Sequence, residues 1–190
     1  MPTLDDISSY RIQPNPSDPR LSRVITGVDQ HGQPTKTSVI EERPLTIYLN
    51  AQEIVTAMTI GDYPEYLAVG FLKNQGMLKP DDVIEMVEYD EELDVVVVRT
   101  ERESNYEEKL SKKTRTSGCA VGTVFGDMME GVDQVSLAAT PVHTSWIYRL
   151  SHLINRTPSL YLETGAIHGT VLCEKDQPLI YMEDVGRHNA

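Results

Sequence analysis

The chain has 190 residues, and 29 acidic against 17 basic side chains give a formal net charge of −12. That excess of anions argues against broad nucleic-acid binding, which needs cations to neutralise phosphates. Hydrophobic content of 39% and charged content of 24% suit a soluble protein with one core or two small ones, and no apolar run is long enough to span a bilayer.

The chain opens Met1-Pro2-Thr3-Leu4-Asp5-Asp6, acidic and without an apolar segment, so no secretory signal is expected and the cytoplasm is the expected compartment. There Cys119 and Cys173 should be free thiols, although a disulfide between them is possible in principle. Pro2, Pro14, Pro16 and Pro19 mark residues 1–20 as a flexible arm. Leu21 to Val28 reads as a strand ending at the His31-Gly32-Gln33-Pro34 turn. Val39 to Glu42 and Leu45 to Leu49 read as strand pieces interrupted by Pro44. Asn50-Ala51-Gln52 is a turn, and Glu53 to Ile60 completes a hairpin.

Asp62-Tyr63-Pro64-Glu65 predicts a helix start, with Asp62 as the cap, Pro64 in the first turn and Glu65 three residues after the cap. Leu67 and Phe71 share one face, Phe71 and Leu72 are core candidates, and Gly76 is a natural stop. Asp82 to Tyr89 and Leu93 to Thr100 predict a second hairpin, with the β-branched Val95 to Val98 buried. Residues 101–117 are polar, and Val124 to Val135 is ambiguous. Pro141 and Thr144 precede a helix whose apolar face carries Trp146, Ile147, Leu150, Leu153 and Ile154, with His152 on the surface. Gly165 to Cys173 reads as a strand, Glu174-Lys175-Asp176-Gln177 as a turn, and Pro178 to Met182 as its neighbour. Cys173, at the end of Thr170-Val171-Leu172, reads as a core residue.

The chemically distinctive stretch is Arg115-Thr116-Ser117-Gly118-Cys119-Ala120-Val121-Gly122-Thr123. A cysteine between two glycines sits on a backbone free to adopt positive φ, and the turn's N–H groups can gather into an anion-binding concavity. Lys112, Lys113 and Arg115 precede it, and such cations favour the thiolate, the nucleophilic form. A reactive Cys119 is the expectation, against the commoner case of a buried, inert cysteine.

Zinc chemistry is not expected. His168 is followed by Gly169 and Thr170 where a deaminase needs Glu, and Gly122 stands where a second cysteine would complete the pair after Cys119. No Walker-type or dinucleotide fingerprint is present. Thr164-Gly165-Ala166-Ile167-His168-Gly169-Thr170 and Asp184 to Asn189 are nevertheless rich in small residues and donors. Gly165 and Gly186 allow close backbone approach, and Arg187 offers a planar fork for phosphate. A structural turn and a ligand site remain equally open readings of these segments.

Four stretches, in order, resemble the formate dehydrogenase accessory sulfurtransferase (FdhD) family. They are Glu42-Arg43-Pro44-Leu45-Thr46-Ile47-Tyr48-Leu49-Asn50, Tyr66-Leu67-Ala68-Val69-Gly70-Phe71-Leu72, Ser117-Gly118-Cys119, and Glu163-Thr164-Gly165-Ala166-Ile167-His168-Gly169 through Glu183-Asp184-Val185-Gly186-Arg187-His188-Asn189-Ala190.

The resemblance implies an α/β (α+β) fold: a small N-terminal β-rich part (21–110), then a cytidine-deaminase-like three-layer α/β part (111–190) without the deaminase zinc and incomplete at the C-terminus. It implies that Cys119 accepts persulfide sulfur from a cysteine desulfurase and delivers it to the molybdenum (or tungsten) bis-guanine-dinucleotide cofactor of formate dehydrogenase. The cofactor, or a GDP-like nucleotide, is then expected at Gly165, His168, Asp184, Gly186, Arg187, His188 and Asn189. The expected partners are the desulfurase, the formate dehydrogenase apo-enzyme and a second copy of the chain, with no nucleic acid and no membrane.

Three departures bear on that expectation. Gly122 replaces the second cysteine of the family's C-x-x-C pair, Gln75 stands where an acidic residue is expected, and relatives run on past the motif that ends at Ala190. The alternatives are a non-catalytic chaperone that binds the cofactor or the apo-enzyme, and a truncated, degenerate copy.

Overall fold

A computed structural model describes residues 10–102, 113–115, 123–125, 136 and 138–190. The chain divides into two compact units. One combines the residues up to Glu41 with Ala139–His188 and Ala190; the other takes Glu42–Ala138 with Asn189.

The second unit is built on a mixed sheet. Arg43–Leu49 (β3) and Gln52–Thr59 (β4) form an antiparallel pair, Ile84–Asp90 (β5) and Val95–Thr100 (β6) another, and β3 runs parallel to β6, giving the order β4-β3-β6-β5. Alternation places Leu45, Ile47 and Leu49 of β3 on one face, where they join Val96, Val98, Ala68 and Leu72 in the core. Covering each large side chain there stabilises by roughly 1.5–3 kcal/mol. Pro44 does not break β3. It pairs with Met58 on the β4 side, while β6 begins its register only at Thr46, so no ladder partner on that side is deprived of an N–H.

Asn50 shows why that strand ends as it does. It turns the β3–β4 corner at φ 55, its backbone N–H donates to Val98 O at 2.7 Å, and its side-chain oxygen accepts from Thr100 N at 2.9 Å. One short amide thus closes a hairpin and secures the end of β6. The helix Pro64–Asn74 (α1) packs on this sheet through Ala68 and Leu72. Its cap is not Asp62: the N-cap position belongs to Tyr63, which enters at φ 48 without a side-chain cap bond. Gly76 at φ 65 ends the turn, as expected. Short strands Lys113–Arg115 (β7) and Thr123–Phe125 (β8) form an antiparallel ribbon in register Arg115 to Thr123.

At the start of β5, Asp82 receives a two-pronged bond from Arg102, at 2.5 and 2.6 Å, and a third from Lys79 N at 2.8 Å. The guanidinium and that backbone donor hold its carboxyl down to about 2. Because the folded value lies below the unfolded one, this stabilisation is present above the ordinary carboxylate value. It is lost as pH falls through about 2. Acid titration of the second unit should lose stability across that window, and Asp82→Asn should flatten the loss; equal acid sensitivity in both proteins would refute the assignment.

The first unit begins with the hairpin Ser22–Val28 (β1) and Pro34–Ile40 (β2), whose turn is held by Asp29 Oδ1 accepting from His31 N and Gln33 N. It continues with the helices Thr144–Ile154 (α2) and Leu160–Thr164 (α3) and the antiparallel pair His168–Glu174 (β9) and Gln177–Asp184 (β10). On α2, Trp146, Leu150, Leu153 and Ile154 are half-buried, while Ile147 is exposed with His152. The proline-rich N-terminal stretch contributes a short parallel bridge to β10: Arg11 N donates to Leu179 O and Tyr181 N to Ile12 O. Among the described residues, no helix is long and apolar enough to cross a membrane.

Candidate functional site

The expected site residues fall into two groups. Gly118, Cys119 and Gly122 lie outside the described residues. In the sequence they belong to 116–122, which connects the paired residues Arg115 and Thr123 of the β7–β8 ribbon.

Most of the others meet at one end of the β9–β10 pair. Antiparallel register sets His168 opposite Asp184, so the two motifs, remote in sequence, become ladder neighbours. Gly165 does not begin a strand. It caps α3 in the left-handed conformation at φ 68, donating to Tyr161 O at 2.9 Å, and a Cβ there would meet nothing within 4 Å. Glycine is therefore favoured at this position by its φ, not by lack of room.

Beyond β10, Asp184 is buried and its Oδ1 accepts from Gly186 N at 2.8 Å, bending the chain as an Asx turn. Ala190 N donates to Gly186 O at 3.1 Å. This turn leaves Arg187 and His188 exposed, as His168 is on β9. Asn189 groups with the other unit, where its amide donates to Met58 O at 2.9 Å. Exposed guanidinium and imidazole donors beside a glycine-bearing turn can receive phosphate or another anion.

Behind the site lies a buried carboxylate that the sequence did not single out. Glu183 is 5% exposed, with Oε2 accepting from Leu160 N at 2.8 Å and Oε1 from Tyr161 N at 3.1 Å. The Tyr181 hydroxyl donates to the same Oε1 at 3.2 Å. Burial pushes the Glu183 carboxyl up, against those three bonds, which favour its charged form. Burial and the Glu183 charge push the Tyr181 hydroxyl up to about 12, so it is a donor at neutral pH. The signal available in the sequence was Ser159, whose Oγ accepts from Leu162 N as an N-cap, six residues before Gly165.

Cys173 is half-buried on β9 rather than in a core; burial pushes its thiol up, and its Sγ leans toward Val171 O at 3.7 Å.

Comparison with known proteins adds to this geometry. A sulfur carrier protein FdhD from Bacillus pumilus is 27% identical over 80% of this chain and 59% of its own length. Proteins of the same name from Listeria monocytogenes and Wolinella succinogenes are 28% and 32% identical, over 83% and 80% of this chain and 62% and 54% of theirs. A crystal structure of a protein assigned as a formate dehydrogenase accessory protein, from Desulfotalea psychrophila, superposes with a TM-score of 0.67 at 22% identity. That match covers 89% of this chain and 64% of the other, and it establishes a shared mixed α/β fold. The chain thus spans about three fifths of the length of these relatives. The model of the FdhD/NarQ family matches residues 40–190, and the chain belongs to that family.

Proposed function

We propose that this chain is a sulfur carrier in formate dehydrogenase maturation. Cys119 takes sulfur from the persulfide of a cysteine desulfurase and passes it to the molybdenum (or tungsten) bis-guanine-dinucleotide cofactor destined for that enzyme. The first transfer is an exchange: the Cys119 thiolate attacks the outer sulfur of the donor persulfide, a new S–S bond forms, the donor's S–S bond breaks, and the donor departs as a thiolate. The outer sulfur brings its proton, and no oxidant or reductant is consumed. Delivery would break the Cys119 S–S bond: the acceptor supplies the electron pair for its new bond to the outer sulfur, the proton is released, and the Cys119 thiolate is regenerated. Lys112, Lys113 and Arg115, close in sequence, favour both the attacking thiolate and the persulfide anion.

The observation that carries this reading is the register of β9 on β10, which brings His168 beside the turn bearing Gly186, Arg187 and His188. Those donors suit the phosphates of a GDP-like nucleotide, the part of the acceptor that a protein can grip without touching its metal. The work would be done in the cytoplasm, by a chain that pairs with a second copy and meets the desulfurase and the apo-enzyme in turn.

Gly122 favours a second reading, a chaperone that binds the nucleotide cofactor without sulfur chemistry. Incubation with a cysteine desulfurase and cysteine, followed by intact-mass measurement, together with a GDP titration, separates the two. A carrier gains one sulfur atom per chain and binds GDP. Binding without sulfur uptake selects the chaperone, and the absence of both sulfur uptake and GDP binding rejects both readings.

A further inference from the structure

We propose that Glu183 is the positioning residue of this site, holding the His168-bearing segment against the Arg187 turn by tying down its far end. The proposal deepens the nucleotide-site reading above and rests on it.

The geometry is a closed loop. The segment Leu160–His168 begins where Leu160 N and Tyr161 N donate to Glu183, at 2.8 and 3.1 Å. It ends where His168 lies opposite Asp184, the very next residue of β10. Both ends of the segment are therefore anchored to consecutive residues of one strand. Within it, Gly165 reverses the chain at φ 68 and Ile167 is buried. Without the Glu183 bonds, His168 would be placed only by the ladder and the burial of Ile167, and the helix α3 that leads to it would lose the acceptor for its first two N–H groups.

The carboxylate is itself held. Tyr181 donates to it at 3.2 Å, and Gly169, opposite Glu183 in the ladder, leaves room for the Tyr181 ring, which would come within 2.7 Å of a Cβ there. Glu183 has both oxygens occupied by donors and is covered from solvent, so it acts through the segment it holds and does not contact ligand.

Glu183→Gln keeps the shape but turns an amide N–H₂ toward donors that need an acceptor. Its control is Leu21→Ala, which opens a cavity at a buried residue of the same unit outside this loop. Two readouts are needed, both at a temperature where every protein is folded. In the ligand-free chains, Glu183→Gln should raise hydrogen exchange at the bonded amides of Leu162, Glu163 and Gly165 about tenfold over wild type, and Leu21→Ala should not. In GDP titrations, Glu183→Gln should weaken affinity about tenfold while Leu21→Ala binds as wild type.

Unchanged exchange at these amides in Glu183→Gln overturns the positioning role whatever GDP does. Equal weakening by both variants also overturns it, as a general effect of lost stability. Raised exchange in Glu183→Gln, together with a wild type that binds no GDP, upholds the tether and removes the nucleotide reading instead.

Discussion

Cys119→Ser should take sulfur uptake from one atom per chain to none, while Cys173→Ser should leave it at one. The sequence next to Cys119 and the structure around Cys173 point in opposite directions. Cys119 follows Lys112, Lys113 and Arg115 and is flanked by glycine, a setting that favours the thiolate. Cys173 is half-buried, its thiol is pushed up by burial, and its sulfur leans on the Val171 carbonyl of its own strand. A hydroxyl at position 119 is almost wholly protonated at neutral pH and cannot form a persulfide, so the effect should be complete rather than graded. Intact-mass measurement after desulfurase treatment reads it directly. Loss of label in Cys173→Ser with label retained in Cys119→Ser would move the chemistry to the β9–β10 hairpin and remove the carrier role of Cys119.

Gly169→Ala should destabilise the first unit by about 2 kcal/mol, lowering its melting midpoint by roughly 10 °C. The added methyl would lie 2.7 Å from a ring carbon of Tyr181 and 3.1 Å from its hydroxyl oxygen. That ring is 4% exposed and its hydroxyl is bonded to Glu183, so it cannot swing aside without giving up the bond. Gly165→Ala is the contrast: nothing crowds its Cβ, and only the φ of 68 opposes it, at about 1 kcal/mol. A double-mutant cycle identifies the cause. On a Tyr181→Ala background, Gly169→Ala should cost little, and an undiminished cost there would mean that the ring is not what the glycine accommodates.

The strands were legible because alternation and β-branched runs are local signals. Val95 to Val98 read as buried, and residues 96 and 98 are fully covered while 95 and 97 are partly so. What the sequence obscured depends on partners distant along the chain. Pro44 looked like an interruption because a proline donates nothing to a ladder, yet β6 does not reach it. The pairing of Ile12 with Ile180 was hidden among prolines, since its partner comes at the other end of the chain. Helix α3 is too short to show periodicity; Ser159 and Gly165 bracket it, but in the sequence Gly165 looks like the start of the strand that follows.

The site divides in the same way. The two motifs could be picked out by composition, and ladder register explains why His168 and Asp184 belong together. Composition could not rank Glu183 above its neighbours, because its importance lies in two backbone N–H groups contributed by another element.

The parallel pairing of β3 with β6 has a consequence for synthesis. Thr46 meets Val95 and Leu49 meets Val98, so a nascent chain that has released β3, β4 and α1 still lacks the strand that completes the middle of its sheet. Until β6 leaves the ribosome, Leu45, Ile47 and Leu49 sit on a strand with one open edge, a template for any other extended chain nearby. Translation pauses that hold β6 inside the ribosome should therefore leave a nascent chain dependent on chaperones, and pauses after β6 has emerged should not.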